Sequence, residues 1–426
     1  MEASTLADLK LDLDAFVSRF SDCFARRDTR AHLTTYVSGQ LSNIPRKNVE
    51  SMALAAGVPV RTLQEFLSQH RWIEDLVRQR LQEIVRDEHA HEHSIGIIDE
   101  TSDDKKGVKT PGVQRQHLGC SGKQDNGIVT VHLAYAADNF HCLLDGELFL
   151  PQSWSDDRPR CREAGIPDEM VYRPKTDIAL ELYDRATANG VKFSWLTFDE
   201  WYGVKPAFLQ ALNTRGQSFV GETHCHFVAW SEEPSITSHP YRKPGRPGRS
   251  RKTPRLKANS PQSGYVGDLV EHKPVFTKQA WQKWHLRDGD KGSMVWEAKR
   301  ATVWVKGEDG LPTAPWQLLV CRNVTNPTEV KYFVSNAPAK TPTATLLLVA
   351  FSRWRVERCF QDDKSEVGLD HYEGRRYVGL KRHLILSAVS LLFLSRVNER
   401  LREKKSGVDC LPSSQGGLRR RPGALA

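Results

Sequence analysis

A carboxylate flanked by two cations is the feature of this sequence that best suits chemistry on a phosphodiester. Glu357 lies four positions after Arg353 and seven before Lys364. At about 3.6 residues per turn, this spacing predicts that the three side chains share one stripe of a helix. Trp354 and Phe360 are expected to anchor that helix in a core. Because carboxylates bind metal ions and cations bind phosphate, the segment indicates metal-dependent chemistry on a polyanion.

Two short apolar runs upstream each end in an acid that could share a metal with Glu357. The run at 94–98 ends at Asp99, and the run at 193–198 ends at Asp199. Both runs are typical of buried strands, and ligands of open α/β sheets collect at the carboxyl edge. Two strand acids and one helix acid are the set that two-metal phosphoryl transfer requires.

Other acids surround these three in the sequence. They are expected to lie beside the metal ligands or to face solvent: Glu100, Asp103, Asp104, Glu200, Asp362, Asp363 and Glu366. Asp103 and Asp104 are the strongest alternatives to Asp99.

Several longer stretches carry a family resemblance. They are IIDET at 97–101, GVQRQ at 112–116, GCSGK at 119–123, LFLPQSW at 148–154, AGIP at 164–167, DEWYG at 199–203 and the segment 353–364. Together they make residues 45–400 resemble a DDE transposase of bacterial insertion sequences with an RNase H-like core, nearest to the insertion-sequence seven-oh-one family. The sequence departs from the related Tyr-Arg-Glu-Lys signature at Ala350, where the tyrosine is expected.

This resemblance implies the roles of the acids. It assigns Asp99, Asp199 and Glu357 as both the catalytic residues and the ligands of two Mg²⁺ ions, for which Mn²⁺ is a possible substitute. It implies that water cuts the transposon end and that the freed 3′-hydroxyl attacks target DNA. The implied partners are double-stranded DNA, at the ends and at the target, and further copies of the chain in a homodimer or higher oligomer.

Composition indicates a cytosolic protein with a polyanionic partner, and the resemblance implies that the cytoplasm is bacterial and that the protein associates with the nucleoid. The 426 residues carry a net charge of +9, which suits a polyanionic partner. Eight cysteines without a CxxC pair indicate reduced thiols rather than a disulfide or zinc framework. No apolar run approaches the ~18 residues of a membrane span, and residues 1–4 lack the pattern of a signal peptide, so no membrane is expected.

The predicted fold class is α/β: an RNase H-like mixed-sheet core with an N-terminal helical domain and a β-rich insertion before the catalytic helix. In the helical domain, segments 48–57 and 61–70 form a possible helix-turn-helix, with an ordinary helical hairpin as the alternative. The predicted divisions are a DNA-binding domain at 1–90, a catalytic core at 91–230 and 336–403, an insertion at 231–335 and a disordered basic tail at 404–426. The segment 376–403 is expected to be a long amphipathic helix.

Cations in three places are expected near phosphate. The run 241–257 holds eight basic residues and no acid, including Arg246, Arg249 and Arg251. A solvated loop is the alternative for this run. The remaining candidates are Lys105, Lys123, Arg353 and Lys364, for each of which an ordinary surface cation is the alternative.

The predicted function is a transposase that binds the terminal inverted repeats of its own insertion sequence and performs Mg²⁺-dependent strand cleavage and transfer. Two alternatives remain open. One is a transposase-derived DNA-binding regulator without catalysis, and the other is an RNase H-like nuclease that transfers no strand.

Overall fold

The computed structural model describes residues 3–238, 253–289, 292–406 and 419–420. Its α-helices are α1 Ala3–Ser18, α2 Arg27–Gln40, α3 Val49–Ala55, α4 Val60–Ser68, α5 Glu74–Glu88, α6 Gln152–Ser155, α7 Arg158–Ala164, α8 Lys175–Ala188, α9 Glu200–Gly203, α10 Pro206–Thr214, α11 Val266–His272, α12 Pro274–Thr277, α13 Thr343–Ala350, α14 Trp354–Asp362 and α15 Tyr377–Ser406. A 3₁₀ turn spans Ser21–Cys23, and a π-helical turn spans Asp363–Val367.

The strands are β1 Ile95–Asp104, β2 Gln114–Leu118, β3 Lys123–Ala137, β4 Phe140–Leu148, β5 Trp195–Phe198, β6 Phe219–Thr223, β7 Val228–Trp230, β8 Ile236–Thr237, β9 Arg255–Leu256, β10 Gly264–Tyr265, β11 Gln282–Gly289, β12 Gly292–Lys306, β13 Pro312–Asn323, β14 Val330–Ser335 and β15 Arg419–Arg420. The chain divides into two compact units. The first unit comprises Met1–Ser194 and Trp354–Leu411, and the second comprises Trp195–Arg353 and Pro412–Ala426.

The first unit contains an antiparallel sheet that is covered on both faces. β3 is its centre, pairing with β1, β2 and β4. From Gly127 to Ala137 every residue of β3 is buried, and since successive side chains alternate between faces, neither face is open to water there. Helices α8 and α14 both pack against this sheet.

Helix α15 is the buried core helix of the first unit. It was expected to be amphipathic, but every residue from Arg382 to Phe393 is buried, so no polar face exists over this part. The segment Tyr377–Arg402 is long and apolar enough to cross a membrane, contrary to the expectation that no such run exists. However, 78% of its most apolar window is buried inside the protein, as in a core helix.

The N-terminal helices include the predicted helical pair. The Asn48 side chain accepts a hydrogen bond from the Ser51 amide at 2.9 Å and so caps α3. Gly57, at φ +66°, makes the turn after it. Helix α4 buries Leu63, Phe66 and Leu67, while its opposite side remains exposed. Two helices joined by a glycine turn are therefore present, and both their identity as a helix-turn-helix and their contact with DNA stay predictions.

The second unit is rich in β structure. Strand β5 pairs in parallel with β6, and the order then continues through β14, β13, β12 and β7 to β10 in antiparallel pairs. Strands β12 and β13 lie within residues 231–335, the segment predicted to be rich in β structure. With parallel and antiparallel pairs beside helices, the predicted mixed α/β fold class is confirmed. The predicted disordered tail lies outside the described residues except for 404–406 and 419–420.

Candidate active site

Asp99 lies within strand β1, not at its end. The strand continues to Asp104, so the expectation of an acid at the carboxyl end was wrong for this residue. The reason is that the polar residues after Asp99 still pair with β3 along the whole ladder. The Asp99 residue is 7% exposed, and its Oδ1 accepts a hydrogen bond from the Glu100 amide at 2.8 Å.

The register of the sheet determines which helix Asp99 faces. Asp99 lies directly opposite His132 of β3, and directly opposed residues of an antiparallel pair project to the same face. The His132 ring makes an edge contact with Phe360 of α14, with 5.2 Å between the ring centroids. Asp99 therefore lies on the face of the sheet that α14 covers.

Glu357 lies on α14, at the margin of its buried side. Val356, Cys359 and Phe360 form that side, and Glu357 is exposed one position beyond Val356. Trp354 was expected to be a core anchor, but it is 36% exposed, so this expectation was wrong. The helix is held by its smaller apolar residues and by Phe360.

The predicted stripe of Arg353, Glu357 and Lys364 is not continuous. Helix α14 begins at Trp354, one residue after Arg353, and the α-helical repeat changes to a π turn at Asp363 before Lys364 is reached. Even so, Lys364 is directed at the sheet. Its Nζ donates a hydrogen bond to the Ser102 carbonyl of β1 at 2.8 Å. This bond joins the end of the Glu357 helix to the strand of Asp99.

Asp199 directly follows strand β5, as predicted. Its carboxylate caps α9 and accepts a hydrogen bond from the Tyr202 amide at 3.3 Å. Asp199 belongs to the second unit, whereas Asp99 and Glu357 belong to the first. The convergence of the three carboxylates stays a prediction.

The residue types of this set fit a metal ion, whereas their arrangement does not form a recognisable metal site. Carboxylate oxygens are the ligands that Mg²⁺ prefers, so the residue types fit. Within the part of the chain that the structure describes, however, no group of three or more His, Cys, Asp or Glu side chains is arranged to hold a metal ion. Metal binding by this set stays a prediction.

The predicted phosphate-binding cations lie in different surroundings. Lys105 is largely buried, pairs with Asp103 and donates to the Tyr372 carbonyl at 2.7 Å. Lys123 is exposed and lies 3.1 Å from Asp125. Within the second unit, Arg353 lies 3.7 Å from Glu222. Contact of these residues with phosphate stays a prediction, and so does that of three arginines outside the described residues: Arg246, Arg249 and Arg251.

Sequence reasoning missed the role of His132 in this site. The residue is 1% exposed, and burial, reinforced by the Lys364 charge, lowers its pKa to about 3. A neutral imidazole on β3, opposite Asp99, therefore packs against the helix of Glu357. Only the pairing register, which the sequence does not state, could have indicated it.

These features define a class of protein with a mixed α/β fold of the RNase H-like kind. One carboxylate lies on a strand of the sheet, and the helix that covers this face carries a second carboxylate. The family described as DDE superfamily endonuclease matches residues 19–293, which include Asp99 and Asp199 and end before Glu357. The match covers more than half of the chain, and the chain belongs to this family.

A related protein supports the same placement. The probable transposase for insertion sequence element IS701 of Microchaete diplosiphon is 34% identical over 168 residues. The aligned part is 39% of this chain and 41% of that protein, less than half of either. The predicted resemblance to DDE transposases of insertion sequences is thereby confirmed.

Proposed function

We propose that this protein is an insertion-sequence transposase that cleaves DNA strands at the ends of its element and joins them to target DNA, with divalent metal ions as cofactors. The observation that carries the proposal is the placement of the Glu357 helix on the sheet face of Asp99, through the Phe360–His132 contact. The family membership of the chain supports the same chemistry.

The proposed ligands of two Mg²⁺ ions are Asp99, Asp199 and Glu357. When bound, such ions activate the attacking oxygen and stabilise the leaving one. The chain's own contribution is to keep the carboxylates in place. The Glu100 amide orients Asp99 at 2.8 Å, and the Tyr202 amide orients Asp199 at 3.3 Å. Lys364 holds the segment after Glu357 against β1 through the Ser102 carbonyl.

The proposed reader of the terminal repeats is the pair α3 and α4. The exposed side of α4 carries Arg61, Gln64 and Ser68, residue types that donate hydrogen bonds to phosphates and base edges. Arg61 also pairs with Glu65 at 2.6 Å, which would hold its guanidinium along the helix before DNA arrives. A net charge of +9 favours the approach of any duplex. The proposed setting is the bacterial cytoplasm, and joining two ends implies at least a dimer.

A specific observation keeps the non-catalytic regulator as a second candidate. Ala350 stands where the signature tyrosine is expected and is buried in α13, so this position offers no phenol. Such a regulator would bind the terminal repeats and cut nothing.

One experiment separates the candidates. The purified full chain is incubated with a terminal-repeat duplex and a target plasmid, with Mg²⁺, with Mn²⁺ and with chelator. The transposase should produce both cut ends and joined products, and only with metal. Cut ends without joined products would identify a nuclease, and binding without cutting would identify a regulator.

A further inference from the structure

A cavity in the first unit lies where three separate segments of the chain meet. It has a volume of about 360 Å³ and is lined by the loop between β1 and β2, by helices α6 and α7 and by the loop before α15. The Lys109 Nζ lies 2.8 Å from the Glu163 carboxylate, and the Arg160 Nη2 donates to the Val108 carbonyl at 2.9 Å. The Arg376 Nη1 donates to the Glu163 carbonyl at 3.3 Å. These bonds fasten both loops to α7, so the cavity is a defined part of the fold.

Three of the stretches that carry the family resemblance meet at this cavity. Trp154 and Ala164 belong to two of them, and both residues line it. Val113 belongs to the third, and its carbonyl accepts hydrogen bonds from the Trp154 Nε1 at 2.7 Å and from the Arg160 Nη2 at 3.4 Å. None of the proposed catalytic acids lines the cavity, so the chemistry proposed above does not account for it.

Arg160 is held in a fixed position at the wall of the cavity. The central carbon of its guanidinium lies 3.8 Å from the centre of the buried Trp154 ring. This stacking and the two hydrogen bonds from Nη2 to carbonyls restrict the side chain before any ligand arrives. Its Nε and Nη1 donate to no atom of the described residues. These two nitrogens are therefore available to an acceptor from outside the chain.

The charges around the cavity leave two arginines without an ion pair. Three cations and two acids line it. The acids are engaged, because Asp157 accepts the Arg160 amide at 3.1 Å and caps α7, while Glu163 pairs with Lys109. No described residue forms an ion pair with Arg160 or with Arg375, and Arg375 is exposed. An anion is the occupant that such an arrangement favours.

We propose that Arg160 and Arg375 bind phosphates of a DNA strand at this cavity. The planar guanidinium matches the oxygens of a phosphate group, and contacts of this kind position a duplex without reading its bases. Lys109 assists, since its pair with Glu163 is 57% and 69% exposed and such surface pairs are weak enough to exchange a carboxylate for a phosphate. The inference rests on the proposed function, because it takes the phosphate from DNA. It adds a backbone contact at the loop that follows the strand of Asp99.

The test measures binding of the full chain to a fluorescent terminal-repeat duplex and to a random duplex of equal length, by anisotropy. Chelator is present, so that metal-dependent cleavage does not interfere, and the salt concentration is varied. Arg160→Gln and Arg375→Ala should each weaken binding to both duplexes by about 10-fold at ~0.1 M salt. Each should also reduce the slope of log affinity against log salt by about one unit, as expected for one lost phosphate contact.

Arg162→Ala is the matched control. This exposed arginine of α7 carries the same charge, but it pairs with Asp168 at 3.1 Å and does not line the cavity. Its loss should leave affinity and slope near those of the unmodified chain. If Arg160→Gln does not fold, because it also loses the bonds to the carbonyls, Arg375→Ala decides alone, since Arg375 has no described ion pair to lose.

Three results would overturn the proposal. The first is an Arg375→Ala variant that binds both duplexes as the unmodified chain does. The second is a loss confined to the terminal-repeat duplex, which would mean that Arg375 reads bases. The third is unchanged duplex binding in Arg375→Ala together with a melting temperature that inorganic phosphate raises only in the unmodified chain. That combination would assign the cavity to free phosphate.

Failure of the proposed function gives a different result. An unmodified chain that binds neither duplex would overturn the transposase and this inference together. Normal cleavage and joining by Arg375→Ala, with unchanged affinity, would remove only the phosphate site.

Discussion

Glu357 is held at the edge of α14 by the burial of Val356, Cys359 and Phe360. Asp99 is held on the same sheet face by its pairing with His132. The sequence does not indicate that these two residues lie on the same face, since 258 positions separate them (357 − 99). Their proposed common task can be tested by changing each acid to its amide.

Glu357→Gln and Asp99→Asn should each lower Mg²⁺-dependent cleavage by about 100-fold or more. The reason is that even groups which only orient metal ligands contribute about 10- to 100-fold. Binding of a terminal-repeat duplex, measured by gel shift, should stay near the unmodified level. Glu366→Gln changes an exposed acid of the same segment and serves as the control. Cleavage at the normal rate by Glu357→Gln would remove this residue from the site.

Lys364 should act through its position as well as its charge. Lys364→Met keeps the aliphatic stem but removes the ammonium that bonds the Ser102 carbonyl. We expect slower strand transfer in Lys364→Met and partial recovery in Lys364→Arg, measured as joined plasmid product. Equal rates in all three proteins would show that the signature position has no function here.

At the scale of elements, helix α14 is held on the sheet by a few apolar side chains. Phe360 is 8% exposed and contacts the His132 ring, whereas Trp354 is 36% exposed. The larger aromatic residue therefore contributes less to the packing of this helix than its size suggests.

Phe360→Ala should lower the free energy of unfolding by about 3–5 kcal/mol, the usual cost of truncating a buried Phe. Trp354→Ala should cost about 1 kcal/mol, since much of its ring stays in water. Urea unfolding of both variants measures the difference. A larger loss in Trp354→Ala would contradict the observed burial.

His383 links α15 to α2 and should make stability depend on pH. Its Nδ1 lies 2.8 Å from the Tyr36 hydroxyl and its Nε2 lies 2.9 Å from the Leu369 carbonyl. Burial lowers its pKa to about 4. The folded pKa is thus below the unfolded value of about 6.5, so the stability from the neutral ring is present above pH ~6.5 and is lost as the pH falls through about 4.

When the pH is lowered from 7 to ~4.5, the urea midpoint of His383→Gln should therefore fall less than that of the unmodified protein. Asp103 has the opposite effect on the pH dependence. Burial raises its pKa to about 7, so the stability that its protonated form contributes is lost as the pH rises through that value. Since Asp103 is common to both proteins, its effect cancels in the comparison. An identical acid slope in both would show that His383 does not titrate as stated.

At the scale of the whole molecule, the excess of basic residues should determine how strongly DNA binding depends on salt. The net charge is +9, and the densest basic run is 241–257. Arg246, Arg249 and Arg251 lie outside the described residues, so this expectation depends on the sequence alone.

Changing these three arginines to Ala should weaken binding to specific and random duplexes alike. It should also reduce the slope of log affinity against log salt by about one unit for each lost phosphate contact. Fluorescence anisotropy at several salt concentrations measures both quantities. A loss confined to the terminal-repeat duplex would indicate base reading instead.

Local sequence determined the elements of this protein, because helices and strands follow from the spacing of nearby apolar residues. The strand before Asp199 and the pair α3–α4 were both predicted from such spacing. The motifs were likewise sufficient to identify the family, since they record residue types rather than distances.

Tertiary structure alone decided which of these residues meet. The placement of Asp99 beneath α14 and the packing of the neutral His132 against Phe360 both depend on contacts between residues far apart in the chain. The exposure of Trp354 is a further example, because a hydrophobic side chain is buried only where another element covers it. Such coverage depends on strand register and helix packing, and no local pattern specifies either of them.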